Sequence, residues 1–156
     1  MKRVVRGPIA TGLLLAVGLA ITAAAPAEQG SKDKGCSLRT LKGTYLFAYP
    51  GFQIVDGQQV PFAFAGHDRY DGEGTLTGVG SFSVNGSISR SATYTGSYTV
   101  NPDCTGSSII VDDSTGETQH FDTFFGRDGD EISFVQTDPG SVAVSIERRI
   151  TKKDSD

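Results

Sequence analysis

Among its 156 residues the chain has two cysteines, two histidines, one methionine and no tryptophan. A zinc site of the usual kind needs four Cys, His or carboxylate ligands at close spacing, and two isolated histidines do not supply them, so no metal is expected. The short motifs that carry a mechanism are missing as well. There is no Gly-x-Ser-x-Gly, no glycine-rich phosphate loop and no His-Glu-x-x-His, which leaves no nucleophile elbow and no cofactor cradle; no cofactor is expected. Positive charge is scarce. Three of the 14 Lys and Arg residues lie in the first six positions, and without them 11 bases face 18 acids, a formal charge of −7. Such a balance repels phosphate backbones and excludes nucleic acid as a natural partner. Past residue 25 no apolar run approaches the roughly 20 residues that a helical span requires, and almost no 3.6-residue periodicity is present to make helices at all.

What is present begins with an export signal. Lys2, Arg3 and Arg6 precede an uncharged stretch from Ile9 to Ala25, and Ala25-Pro26-Ala27 has the small-residue form of a cleavage site. Gly12, Gly18 and several alanines dilute the stretch, which is short for a retained anchor. No Arg-Arg pair precedes it, so the general secretory route is expected rather than the twin-arginine one. Residues 1–27 are read as a signal peptide, 28–35 as a flexible lead-in, 36–150 as one domain and 151–156 as a disordered tail. The mature protein is expected to be secreted or periplasmic, with no membrane span after cleavage. In an oxidising compartment Cys36 and Cys104, with no cysteine left over, read as one disulfide.

The body of the chain alternates with a period of two between regular turn signals. These are Asp56-Gly57, Asp71-Gly72, Asn85-Gly86, Asn101-Pro102-Asp103, Thr115-Gly116, Asp128-Gly129 and Pro139-Gly140. Asx-Gly pairs tolerate the positive φ of tight hairpins, and seven turns separate eight strands. Tyr45, Phe47 and Tyr49 share one face of the first strand, which is followed by a long loop from Pro50 to Gln59. Val60, Phe62, Phe64 and Gly66 share a face of the second, and Leu76, Gly78, Gly80, Phe82 and Val84 of the third. Tyr94, Gly96, Tyr98 and Val100 follow. Then come a short strand around Ile109–Val111, a strand at Gln119–Phe125, another with Ile132, Phe134 and Gln136, and a last one with Val142, Val144, Ile146, Arg148 and Ile150. Eight sequential antiparallel strands make an up-and-down meander, and closing it removes two bare edges. The expectation is an all-β, eight-stranded antiparallel barrel with one disulfide, a two-sheet sandwich being the alternative. Glycines 66, 78, 80 and 96 suit bends at barrel corners.

The disulfide orients the barrel. If the first strand starts at the bottom, the fourth link, carrying Cys104, returns to the bottom too, and Cys36 lies just before the first strand. The N-terminal segment is therefore expected to cross and close the bottom, leaving the mouth at the top.

Three phrases resemble a group of small secreted bacterial proteins: Cys36-Ser37-Leu38, Leu41-Lys42-Gly43-Thr44-Tyr45, and Gly96-Ser97-Tyr98-Thr99-Val100-Asn101-Pro102-Asp103-Cys104-Thr105-Gly106. The later runs His120-Phe121-Asp122 and Phe134-Val135-Gln136-Thr137-Asp138-Pro139-Gly140 resemble it also. The resemblance covers nearly the whole mature chain, implies a bacterial source and carries no activity. In fold the pattern looks like calycins or like the allene oxide cyclase and dirigent barrels. Gly43-Thr44-Tyr45 stands where lipocalins have Gly-x-Trp, but the missing tryptophan and the missing helix after the last strand depart from a true lipocalin. Fold analogy assigns no chemistry.

Candidate chemistry lies in a few places. His120 and Asp122 share one face; if it is the interior they form an acid/base pair, and if Phe121, Thr123 and Phe125 face inward they do not. Asp68 and Tyr70 share the face of Phe62 and Phe64, whereas His67 and Arg69 share the other, so Asp68 and Tyr70 either serve a substrate or form a charged strand end. Arg148 either caps the bottom by bonding carbonyls or anchors an anion. Asp128, Asp130 and Glu131 fall short of the six to eight oxygens that calcium takes. Tyr45, Phe47, Tyr49, Phe62, Phe64, Phe82, Tyr94, Tyr98 and Phe134 give an aromatic lining of the kind that houses small apolar ligands. Two functions follow: binding of a small, largely apolar molecule, or a cofactor-free cyclase or isomerase reaction in the same pocket, where preorganisation supplies much of the rate. A filled barrel serving as a structural module is the third.

Overall fold

The computed structural model describes residues 35–151, so the signal peptide, residues 28–34 of the lead-in and residues 152–156 of the tail lie outside the described residues. A four-residue 3-10 helix, Leu38–Leu41, precedes eight strands: β1 Gly43–Val55, β2 Gln58–Tyr70, β3 Thr75–Val84, β4 Ser87–Val100, β5 Thr105–Asp112, β6 Thr118–Phe125, β7 Glu131–Gln136 and β8 Ser141–Arg149. Each strand pairs with the next, and β1 pairs with β8, closing an antiparallel up-and-down barrel with no sandwich split.

Every one of the seven expected turns joins two strands. The two tightest, at Asp56-Gly57 and Asn85-Gly86, have φ of 51° and 74°, and of 49° and 83°. Positive φ at both central residues is the two-residue turn whose twist matches a hairpin, which is why Asx-Gly occupies both.

Three strands differ from expectation. The segment Pro50–Gln59 is not a long loop: β1 and β2 stay paired from Gly43↔Tyr70 to Val55↔Gln58. Pro50 suits a loop, yet it falls where the β1–β8 pairing skips from Ala48 to Gly51, so its missing N–H costs no ladder bond. Strand β5 is eight residues rather than a short stretch around Ile109, because Gly106 and Ser108 occupy positions where alternation gives an apolar signal elsewhere. In β8 the faces are inverted. Val142, Val144 and Ile146 point outward and are exposed, while Ala143, Ser145 and Glu147 are buried inside.

Two layers fill the interior. The lower one packs Leu41, Tyr45, Tyr70, Leu76, Tyr98 and Ile132; the upper one groups Phe47, Tyr49, Phe62, Phe121, Phe134 and Ala143. The bottom is closed as the disulfide argument requires. Cys36 and Cys104 are bonded across a separation of 68 residues, which in the chain-entropy model contributes about 4 kcal/mol. Cys36 N–H donates to the Pro102 carbonyl at 3.1 Å, and Leu41 sits fully buried beneath Tyr45. Arg149 completes the plug. Its guanidinium donates to the carbonyls of Lys42, Thr40 and Gly129, with the Thr40 bond at 2.7 Å and the Gly129 bond at 2.8 Å. The bottom-capping arginine expected at 148 is thus its neighbour; Arg148 faces solvent and pairs with Glu131.

Candidate functional site

Above the lower layer the barrel keeps a cavity of about 220 Å³. It runs from Gln53, Glu117 and Gln119 at the top to Asp68 and Glu147 at the floor. Tyr49 is the hub of its wall, with ring centroids 5.2 Å from Phe134, 5.5 Å from Phe62, 5.6 Å from Phe64 and 5.8 Å from Phe121. Its hydroxyl donates to Gln136 Oε1 at 2.6 Å, so the ring presents an apolar edge to the cavity and hides its polar tip. Phe82 and Tyr94 complete the lining from β3 and β4.

The floor is a pair of buried carboxyls. Asp68 lies on β2 opposite Tyr45, and Glu147 lies on β8 opposite Phe47, so the two flank β1 and point inward together. Tyr94 Oη donates to Asp68 Oδ1 at 2.6 Å, and Tyr70 Oη donates to Glu147 Oε2 at 3.1 Å. Burial pushes the Asp68 carboxyl up to about 6, against the Tyr94 bond, a hydrogen bond with Glu147 and the charge of His67, which all pull it down. Burial also pushes Glu147 well above the carboxylate range, and the neighbouring Asp68 adds to the push. Two like charges side by side in a low-dielectric site do not both ionise freely. Both carboxyls are therefore held toward their protonated forms, Glu147 the more strongly. Space for the pair is made by Gly78, where a Cβ would strike the Tyr94 ring and Asp68 Oδ1.

Thr123 Oγ1, also on the cavity wall, is the buried side-chain polar atom without a hydrogen-bond partner among the described residues.

The structure brings together Asp68, Phe47, Tyr49, Phe62, Phe64, Tyr94 and Phe134 at the cavity. Tyr70 stands just beneath it, supporting Glu147. Tyr45 and Tyr98 are lower still and serve the plug: Tyr45 Oη donates to the Gly129 carbonyl at 2.6 Å, and Tyr98 Oη donates to the Leu38 carbonyl at 3.2 Å. His120 and Asp122 lie on the outer face, because Phe121 and Thr123 take the interior of β6. His120 Nδ1 contacts Asp138 Oδ1 at 2.7 Å outside the barrel, so the interior acid/base pair of His120 with Asp122 is not formed. Arg148 is outside as well and cannot anchor a ligand within. Asp130 and Glu131 pair with Arg149 and Arg148, and Asp128 Oδ1 accepts the Asp130 N–H. Glu147 escaped sequence reasoning, whereas Phe121 and Thr123 face inward as in the expected alternative that leaves His120 and Asp122 outside. For Glu147 the signal was the inverted face of β8, where valines and an isoleucine alternate with it and claim the interior.

A closed eight-stranded barrel with an aromatic, acid-floored cavity is the class that these observations define. Among solved structures it is similar to a redesigned β-barrel, mFAP1, solved bound to DFHBI. The identity is 18%, the match covers 72% of this chain and 98% of that one, and the TM-score is 0.51. At that identity the likeness is one of fold. No protein-family model matches the chain, and no curated protein sequence matches it. No helix among the described residues is long and apolar enough to cross a membrane.

Proposed function

We propose that this is an exported binding protein that takes one small, largely apolar molecule into its barrel. The cavity of about 220 Å³ walled by aromatic rings carries this reading. Small-molecule sites combine such walls with a few placed polar groups, and an eight-stranded barrel has room for one ligand. The disulfide suits a protein working outside the cytoplasm. Native mass spectrometry of the mature protein from its own host, with the disulfide intact, is expected to retain a bound small molecule after desalting. Ser108→Phe, which places a ring in the cavity, is expected to lose it. A bare wild-type mass, unchanged after incubation with lipophilic extracts, would sink the reading.

The carboxyl pair favours a second reading, a cofactor-free isomerase or cyclase. A carboxyl titrating near 6 beside a protonated one can accept a proton from one carbon of a bound molecule while its partner delivers one to another, leaving the pair's proton count unchanged. In D2O such an enzyme exchanges deuterium into the captured molecule. Asp68→Asn is expected to slow that exchange at least about a hundredfold; exchange at the wild-type rate in the variant removes this reading.

A further inference from the structure

The cavity is not neutral toward charge. Asp68, Glu147, Asp112 and Glu117 all line it, and among the described residues no Lys, Arg or His does. The nearest buried cation, Arg149, is spent on the carbonyls of the bottom plug and on Asp130. Asp68 and Glu147 each receive a tyrosine hydroxyl, but neither receives a cation, although a buried carboxylate without one is costly. An ionised carboxylate has room for about four hydrogen bonds and a protonated one keeps acceptor capacity, so acceptor sites remain on both. Independently of the acids, Thr123 Oγ1 is buried on the same wall with no partner among the described residues, a polar atom built into an apolar surface and left for something that enters. The surrounding rings have electron-rich faces, which attract an organic cation as well as an apolar body.

We infer that the ligand is a small organic amine, bound in its protonated form with the ammonium at the Asp68–Glu147 floor and its hydrocarbon body among the rings of Tyr49, Phe64 and Phe134. The inference rests on the binding reading above and narrows it, because it excludes fatty acids and other carboxylates that an apolar barrel would otherwise accept. The ammonium supplies the missing countercharge, and its N–H groups meet the free acceptor sites. Thr123 takes a second polar group of the ligand.

Three probes that share one ring system separate the possibilities: 2-naphthylmethylamine, 2-naphthylmethanol and 2-naphthoate, titrated calorimetrically into the mature, disulfide-bonded protein at pH 7.5. The amine is expected to bind at least about tenfold more tightly than the alcohol, with the carboxylate weakest. In Asp68→Asn/Glu147→Gln the ratio of amine to alcohol affinity is expected to collapse to within about threefold. An alcohol or carboxylate that binds as tightly as the amine overturns the inference and leaves the apolar-binding reading intact. So does a preference that persists in the double variant. If none of the three binds, the amine inference falls, and the mass of the host-purified protein decides the binding reading. The wild-type ranking decides alone should the double variant not fold.

Discussion

Replacing Arg149 with alanine is expected to lower the unfolding free energy by about 3–5 kcal/mol, whereas the same change at Arg148 is expected to move it by less than about 0.5 kcal/mol. The two residues are adjacent in sequence and identical in charge; only the face of β8 differs. Arg148 reaches Glu131 at 3.2 Å with both side chains largely in water, and such pairs contribute little. The Arg149 side chain is only 5% exposed. It satisfies three carbonyls at the bottom of the barrel, contacts Asp130 at 3.1 Å and lies 4.9 Å over the Tyr45 ring. Hydrogen bonds to a charged donor contribute about 1.5–3 kcal/mol each, and truncation strands their acceptors. Arg149→Lys should recover only part of the loss, since an ammonium cannot reproduce the guanidinium fork. Urea unfolding with the disulfide intact reads all three variants. An Arg149→Ala midpoint within about 1 kcal/mol of wild type would mean that water enters and satisfies the plug, and that the guanidinium is not what closes it.

That contrast also marks where the sequence stops being legible. The turns were readable because a tight hairpin demands positive φ and Asx-Gly provides it; Asp56-Gly57 and Asn85-Gly86 do so here. The aromatic alternation of β1, β2 and β4 was readable because those strands bury rings in both layers. In β8 the same rule failed. Its inner side faces a cavity floor and an arginine plug, so the inward residues are small or charged, while Val142, Val144 and Ile146 stand in solvent. Alternation reveals a period but takes its sign from hydrophobicity, and a functional interior reverses that sign. Glu147 was invisible for the same reason: its partner, Asp68, lies on another strand, and a pairing across strands leaves no trace in the pattern of one chain segment. His120 and Asp122 erred in the opposite direction, since their chemistry was plain in the sequence but Phe121 and Thr123 own the interior of β6.

Glu147→Gln is expected to stabilise the protein at pH 7.5 by about 2–3 kcal/mol and to leave it within about 1 kcal/mol of wild type at pH 4. The carboxyl pair makes the wild type less stable as pH rises through this range. An aspartate in the unfolded chain titrates near about 3.9, and Asp68 in the fold near about 6, raised by burial against the pull of Tyr94, Glu147 and His67. Its contribution is therefore complete below about pH 4 and is lost as pH climbs through about 6, because the folded state binds the more protons in that window. A shift of about two units corresponds to about 3 kcal/mol. Glu147, raised further by burial and by Asp68, acts in the same direction and carries the loss to higher pH. Asp103 and Asp112, held below the usual range by hydrogen bonds from Thr105 and Ser114 respectively, act oppositely, but only as pH falls below about 4. The groups facing the pair are Tyr45 from β1, Tyr70 from β2 and Tyr94 from β4, while His67, on the outer face of β2, acts on Asp68 through its charge alone. The buried tyrosine hydroxyls are pushed above their ordinary range and stay protonated throughout. In Glu147→Gln the amide N–H is expected to donate to Asp68, while its carbonyl accepts from Tyr70. Asp68 can then ionise with a fixed donor beside it, and the decline between pH 4 and 7.5 should flatten. Wild-type stability that rises with pH over this range, or a variant weaker than wild type at pH 7.5, would show that the pair is a structural anchor. The expected result, stability gained by removing a buried carboxyl, places the pair among the costs that a fold carries for its site, and the cation that would offset this cost is the one inferred for the ligand.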